Sequence, residues 1–124
     1  MAYGTGSRVD FLLPDKTGRA VYLEVKNVHL RREEDWAEFP DCVTARGAKH
    51  LRELSAMVAA GHRALMLYVI QRTDCARFRL AEDLDPAYAR AFAEARAAGV
   101  EAAAYITEIS PRGVRLAGPL PVSG

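Results

Sequence analysis

The sequence predicts an α/β fold, a mixed β-sheet flanked by helices. Three stretches of its 124 residues predict it: a β-hairpin over residues 8–26, an amphipathic helix starting near residue 44, and a continuously apolar strand over residues 64–72. Strand, helix and strand in that order close a βαβ crossover, expected to be parallel and right-handed.

The hairpin is read from residues 9–13 and 20–27, joined by PDKTGR, whose Pro, Asp and Gly are turn residues. A five-residue loop over 15–19 pairs Pro14 with Ala20 and Leu12 with Tyr22, and brings Asp10 across from Glu24. Opposed side chains have Cβ atoms ~5 Å apart, and like charges there repel, so a positive group is expected between them. Lys26, two residues beyond Glu24 and on the same face, is one candidate. A divalent metal is the other: Mg²⁺ usually takes one or two carboxylates and fills its remaining positions with water or phosphate oxygens.

Composition bounds the rest. Half of the residues are hydrophobic, enough for one domain with a real core, and a net charge of +1 gives no overall field toward nucleic acid. Cys42 and Cys75 have no metal-ligand spacing, which suits a reduced, cytoplasmic protein. No apolar run reaches membrane length.

Residues 1–7 are small, with Gly4 and Gly6 discouraging regular structure, and are expected to be flexible; the domain is expected over residues 8–124. After the hairpin, residues 27–30 finish the second strand, and RREEDWAE reads as a mixed-charge loop with Trp36 and Phe39 folding back on the core. The helix follows, with Thr44 as N-cap, Leu51, Leu54 and Val58 as its apolar stripe and Gly61 ending it. Arg46, Lys49, His50 and Glu53 share another stripe. Basic groups near a helix N-terminus oppose its dipole, and a nucleic-acid phosphate would compensate them; an ordinary exposed face is the alternative. The strand over 64–72 reads as buried on both faces, delivering Gln71 and Arg72 to the sheet's C-terminal edge, where ligands of open α/β sheets bind. Residues 73–85 read as a polar connection. Asp85-Pro86 opens a second helix running to Gly99, with Tyr88, Phe92 and Ala95 or Arg96 facing the core. VEAAAYITEIS is a further strand, and VRLAGPLPV a short edge segment limited by its prolines. Tyr68 and Tyr105 are expected in the core, and His29 and His62 outside any metal site.

Asp10, thirteen residues, then Glu24-Val25-Lys26 resembles the PD-(D/E)xK nuclease signature. RVDFLL, YLEVKNVHL, FPDCVTARGAKHLRELSAM, GHRALMLYVIQR and GVEAAAYITEISPRGVRLAGPLPV run in the order and nearly the spacing of the sugar fermentation stimulation protein A family, from about Tyr3 onward. That resemblance implies a restriction-endonuclease-like fold, DNA binding with little sequence preference, and a regulatory role in sugar metabolism. It also implies an additional N-terminal domain of OB-fold type, which has no counterpart in these residues.

Three functions therefore follow. In the first, DNA phosphates meet Arg46, Lys49, His50 and Gln71 beside Asp10, Glu24 and Lys26. In the second, those three are catalytic: Asp10, Glu24 and the Val25 carbonyl hold Mg²⁺ or Mn²⁺, and Lys26 orients the attacking water. In the third, Asp10, Glu24 and Lys26 are a structural ion network in a protein-interaction domain.

Overall fold

The hairpin forms one edge of the main sheet. In a computed structural model, the structure describes residues 2–3, 7–8, 11–14, 20–72, 74–111, 113–120 and 122–123, with side chains chiefly between residues 21 and 107. Strands β1 (Ala2–Tyr3) and β2 (Ser7–Arg8) pair with each other, so regular structure occurs inside a segment whose glycines argue against it. Strand β3 (Phe11–Pro14) then pairs antiparallel with β4 (Ala20–Val28), in the expected register of Pro14 with Ala20 and Leu12 with Tyr22. Asp10 lies outside the described residues.

Two crossovers complete this sheet. Helix α1 (Ala45–Ala59) carries the chain from β4 to the parallel strand β7 (Arg63–Ile70), and helix α2 (Pro86–Ala98) carries it on to β9 (Glu101–Ser110), parallel to β7. Strand β10 (Gly113–Leu120) turns back antiparallel on β9, giving the order β10-β9-β7-β4-β3. At eight residues β10 is longer than its prolines suggest; Pro119 is accommodated at the sheet edge, just past an irregularity between Leu116 and Gly118.

Both helix starts follow from local chemistry. Thr44 Oγ1 accepts from Gly47 N at 3.0 Å, capping α1. Asp85, 2% exposed, accepts from Tyr88 N at 3.0 Å and from Thr44 N at 2.8 Å, so one carboxylate caps α2 and fastens the entry to α1. Gly47 lets the two first turns touch: a Cβ there would lie 2.8 Å from Thr44 Cγ2 and 3.0 Å from Tyr88 Cε2. Gly99 ends α2 at φ 109°, a left-handed conformation that suits glycine.

A second, four-stranded sheet stands largely where the sequence suggests a mixed-charge loop and a polar connection. Strands β5 (Leu30–Arg31), β6 (Trp36–Phe39), β8 (Arg77–Leu80) and β11 (Val122–Ser123) are ordered β11-β8-β6-β5. Period-two alternation explains it: Ala37, Phe39, Phe78 and Leu80 turn toward the core while Trp36, Glu38, Arg77 and Arg79 turn away. Trp36 therefore does not fold back on the core, as Phe39 does. Its ring lies 4.2 Å from the Arg77 guanidinium carbon and 4.8 Å from that of Arg79. Beneath them Glu38, 1% exposed, accepts from Arg32 and, at 3.1 Å, from Arg79.

The core centres on Tyr68. Its ring packs on Phe39, Phe78 and Phe92 at centroid distances of 5.6, 4.8 and 6.2 Å, and its hydroxyl meets that of Tyr88 at 2.6 Å. Both helices and the small sheet thus lie on one face of the main sheet. Strand β7 records the consequence: Ala64, Met66, Tyr68 and Ile70 are fully buried, whereas Leu65 and Leu67 are half-buried. The second face is less completely closed: Val69 there is 9% exposed, beside the half-buried Leu65 and Leu67.

Candidate metal and phosphate site

Strand alternation sends Glu24 and Lys26 to the helix-covered face, alongside Met66 and Tyr68 in the parallel register. From α1, whose cap at Thr44 fixes its start, the second turn delivers His50 to the same place. Glu24 is 3% exposed. Lys26 Nζ lies 3.6 Å from Glu24 Oε1 and 2.8 Å from His50 Nδ1, while His50 Nδ1 lies 3.0 Å from Glu24 Oε1. A carboxylate, an ammonium and an imidazole thus form a closed triangle at the interface of β4 and α1.

The triangle has unusual proton arithmetic. When Nδ1 is bare it accepts from the Lys26 ammonium, and when Nδ1 carries a proton it donates to Glu24 Oε1, since the ammonium cannot accept. Glu24 reaches further: burial raises the pKa of the Tyr88 phenol, with the Asp85 and Glu24 carboxylates adding to the shift and the Tyr68 hydroxyl opposing it. The charged corner thus borders the aromatic centre of the core.

The expected phosphate stripe on α1 does not hold together. Arg46 is exposed and Lys49 partly so, with its Nζ 4.0 Å from Glu53 Oε1. His50 and Glu53 are 3% and 6% exposed and face inward, so His50 is a partner of Lys26 rather than part of an outward cationic surface. The signal was available: His50 and Glu53 immediately precede Leu51 and Leu54, which widens the buried face to a full helical stripe. Gln71 is not brought to the triangle either. Its Nε2 donates to Asn27 Oδ1 at 3.0 Å, and Asn27 leaves β4 on the face opposite Lys26.

The remaining expectations divide. Tyr68 is fully buried, but Tyr105 is half-buried on the other face of the sheet. Ala95, not Arg96, completes the inward stripe of α2. Cys42 is exposed and Cys75 buried, both as free thiols, so only Cys75 is packed. His29 is exposed and His62 packs against Tyr22 at 5.4 Å. Among the described residues no group of three or more His, Cys, Asp or Glu could enclose a metal ion, and no helix is long and apolar enough to cross a membrane. The donor chemistry at Glu24 nevertheless suits a hard cation. Mg²⁺ needs only one or two protein carboxylates, and Glu24 supplies a buried one beside an ammonium fit to face a phosphate.

Residues 1–113 match the family model described as the sugar fermentation stimulation protein RE domain. Sugar fermentation stimulation protein homologs from Jannaschia sp. (strain CCS1) and Dinoroseobacter shibae are each 67% identical to the chain, over 116 and 120 residues. Those alignments cover 94% and 97% of this chain but 48% and 49% of the relatives. The structure of Pyrococcus furiosus SfsA in complex with Ca²⁺ superimposes with a TM-score of 0.88 at 30% identity, over 98% of this chain and 52% of that one. The chain spans about half the length of the curated relatives it matches. By the extent of the family match and this identity, the chain belongs to the sugar fermentation stimulation protein (SfsA) family.

Proposed function

We propose that this domain binds DNA and hydrolyses its phosphodiester bonds at a divalent-metal centre of PD-(D/E)xK type, held by Asp10, Glu24 and the Val25 carbonyl. The observation that carries the reading is the Glu24–Lys26–His50 triangle, with contacts of 3.6, 2.8 and 3.0 Å. Buried ion pairs are poor stabilisers, because desolvation offsets much of their attraction, so a site kept this charged points to a ligand that uses it. Asp10, which lies outside the described residues, enters the reading from its place in the sequence pattern with Glu24-Val25-Lys26. A Ca²⁺ complex of the Pyrococcus furiosus relative agrees with a hard-cation, oxygen-donor centre.

Bound there, Mg²⁺ or Mn²⁺ would supply Lewis acidity toward a phosphate oxygen and a more acidic water. Glu24 would supply a buried carboxylate oxygen to the cation. Lys26 orients the attacking water and faces the charge that builds on the phosphate, and His50 keeps the Lys26 ammonium in place. Arg46 and Lys49, on the open side of α1, draw in the flanking phosphates. Incubating the chain with duplex and single-stranded DNA and Mg²⁺ or Mn²⁺ tests this reading. Cleavage that Glu24→Gln and Lys26→Ala each abolish, with the folded spectrum retained, is expected. DNA binding that weakens with salt yet never leads to cleavage would leave the family's implied regulatory DNA-binding role as the function.

A further inference from the structure

The net charge of +1 conceals a segregation of charge between the small sheet and the helix layer. In and around the small sheet, Arg31, Arg32, Arg72, Arg77 and Arg79 each pair with a carboxylate. On the helices the pattern reverses. Arg46 and Arg52 on α1 and Arg90 on α2 are exposed and have no carboxylate partner among the described residues. Glu94, one turn beyond Arg90, is the exposed carboxylate of the two helices, since Glu53 is buried. Arg96 has a local role, donating to the Val100 carbonyl at 2.9 Å where α2 ends.

Helical spacing sets where these charges stand. Arg46, Lys49 and Arg52 step by three residues, each step turning about 60° back round the axis and rising about 4.5 Å. They wind from the flank of α1 that carries His50 to the side away from the buried Leu51 and Leu54. Arg90 lies opposite the buried Tyr88, Phe92 and Ala95 on α2. The helices meet at both ends: Gly47 lies against Tyr88, and a Cβ on Gly99 would be 3.1 Å from Val58 Cγ1. With packed helix axes ~8–10 Å apart, Arg52 and Arg90 therefore stand on one continuous outer surface. Like charges at helical spacing repel, and a DNA backbone, with a phosphate every ~3.4 Å along each strand, supplies the missing counter-charges. We propose that DNA engaged at the Glu24–Lys26–His50 site continues across the helix layer, its phosphates meeting Arg52 and Arg90 beyond Arg46 and Lys49. This path rests on the DNA-binding reading above and does not depend on cleavage.

Fluorescence anisotropy with a labelled duplex of about three helical turns, in EDTA and from about 50 to 200 mM NaCl, tests the path. Arg52→Gln and Arg90→Gln should each lower the slope of log affinity against log salt by about 0.9. At about 50 mM salt each should bind roughly threefold to tenfold more weakly. Both positions are exposed on helices and Gln matches Arg in helix propensity, so the variants should stay folded. Arg52→Lys and Arg90→Lys should keep the wild-type slope, because a phosphate accepts either cation. So should Arg63→Gln, whose charge Glu101 already pairs at 3.0 Å. Wild-type slopes in both Gln variants overturn the proposal. An equal loss in Arg63→Gln does so too, because net charge alone would then govern binding. A wild type that binds no DNA overturns the path together with the DNA-binding reading. Slopes that fall as expected in a chain that never cleaves DNA with Mn²⁺ support the path and count only against the metal centre.

Discussion

Replacing Lys26 with Met removes one charge from the triangle while keeping most of the side chain's volume. Glu24 and Lys26 side chains are 4% and 16% exposed, so their attraction is poorly screened. At 3.6 Å and an effective dielectric constant of about 20, the direct Coulomb term is about 4–5 kcal/mol. Removing one partner of a buried pair costs about 3–5 kcal/mol, because the other charge stays buried. His50, at 3.0 Å from Glu24, can take a proton and recover part of that, so the expected net loss is about 2–4 kcal/mol. At about 4 °C per kcal/mol for a domain of this size, the variant should melt roughly 10 °C lower. Urea unfolding at pH 7 with the m-value held constant gives the free-energy difference directly. A loss below about 1 kcal/mol would mean that the triangle is solvated and exchangeable, contrary to its burial, and would refute the reasoning.

Three further outcomes are expected. Gly47→Ala gains helix propensity but drives a methyl into Thr44 and Tyr88; a net loss of about 1–3 kcal/mol is expected in urea unfolding, and stabilisation would show that the first turns are not in contact. Burial holds the phenols of Tyr68 and Tyr88 above their usual range, so the unfolded chain releases their protons first. Stability is then whole below about pH 10 and falls as pH rises past it, with tyrosinate absorbance from these two appearing only on unfolding. Hydrogen bonds from Arg32 and Arg72 pull Asp83 and Asp74 each down to about 2. Their contribution is complete above the ordinary carboxylate value near 3.8 and is lost as pH falls through about 2, so acid titration of stability should be shallower in Arg32→Gln and in high salt.

Local signals carried the main sheet and both helices: the PDKTGR turn set the hairpin register, and Thr44, Asp85 and Gly99 marked helix ends by chemistry that acts within a few residues. The small sheet was hidden because its outward positions are Arg77, Arg79, Trp36 and Glu38, which read as a solvated loop until their partners across strands are known. For Arg77 and Arg79 the alternation with Phe78 and Leu80 was present in the sequence, but only four residues long. Pairing of Glu24 with Lys26 was legible from their spacing. His50 was legible only as a helix position, since its inward direction depends on how α1 rotates against β4, a tertiary choice. How fully each face of β7 is closed was likewise beyond the strand's own residues, because apolarity on both faces does not say what packs on each.

The most direct test of the metal centre needs no substrate. Thermal unfolding of the wild type and Glu24→Gln, with and without Mn²⁺, reports whether Glu24 holds a cation. At a Mn²⁺ concentration near one hundred times its dissociation constant, the wild type should gain about 2.7 kcal/mol, roughly 10 °C, and Glu24→Gln should gain nothing. A wild type that melts at the same temperature with and without Mn²⁺, or a Glu24→Gln variant that responds as fully as the wild type, would contradict a metal centre built on Glu24.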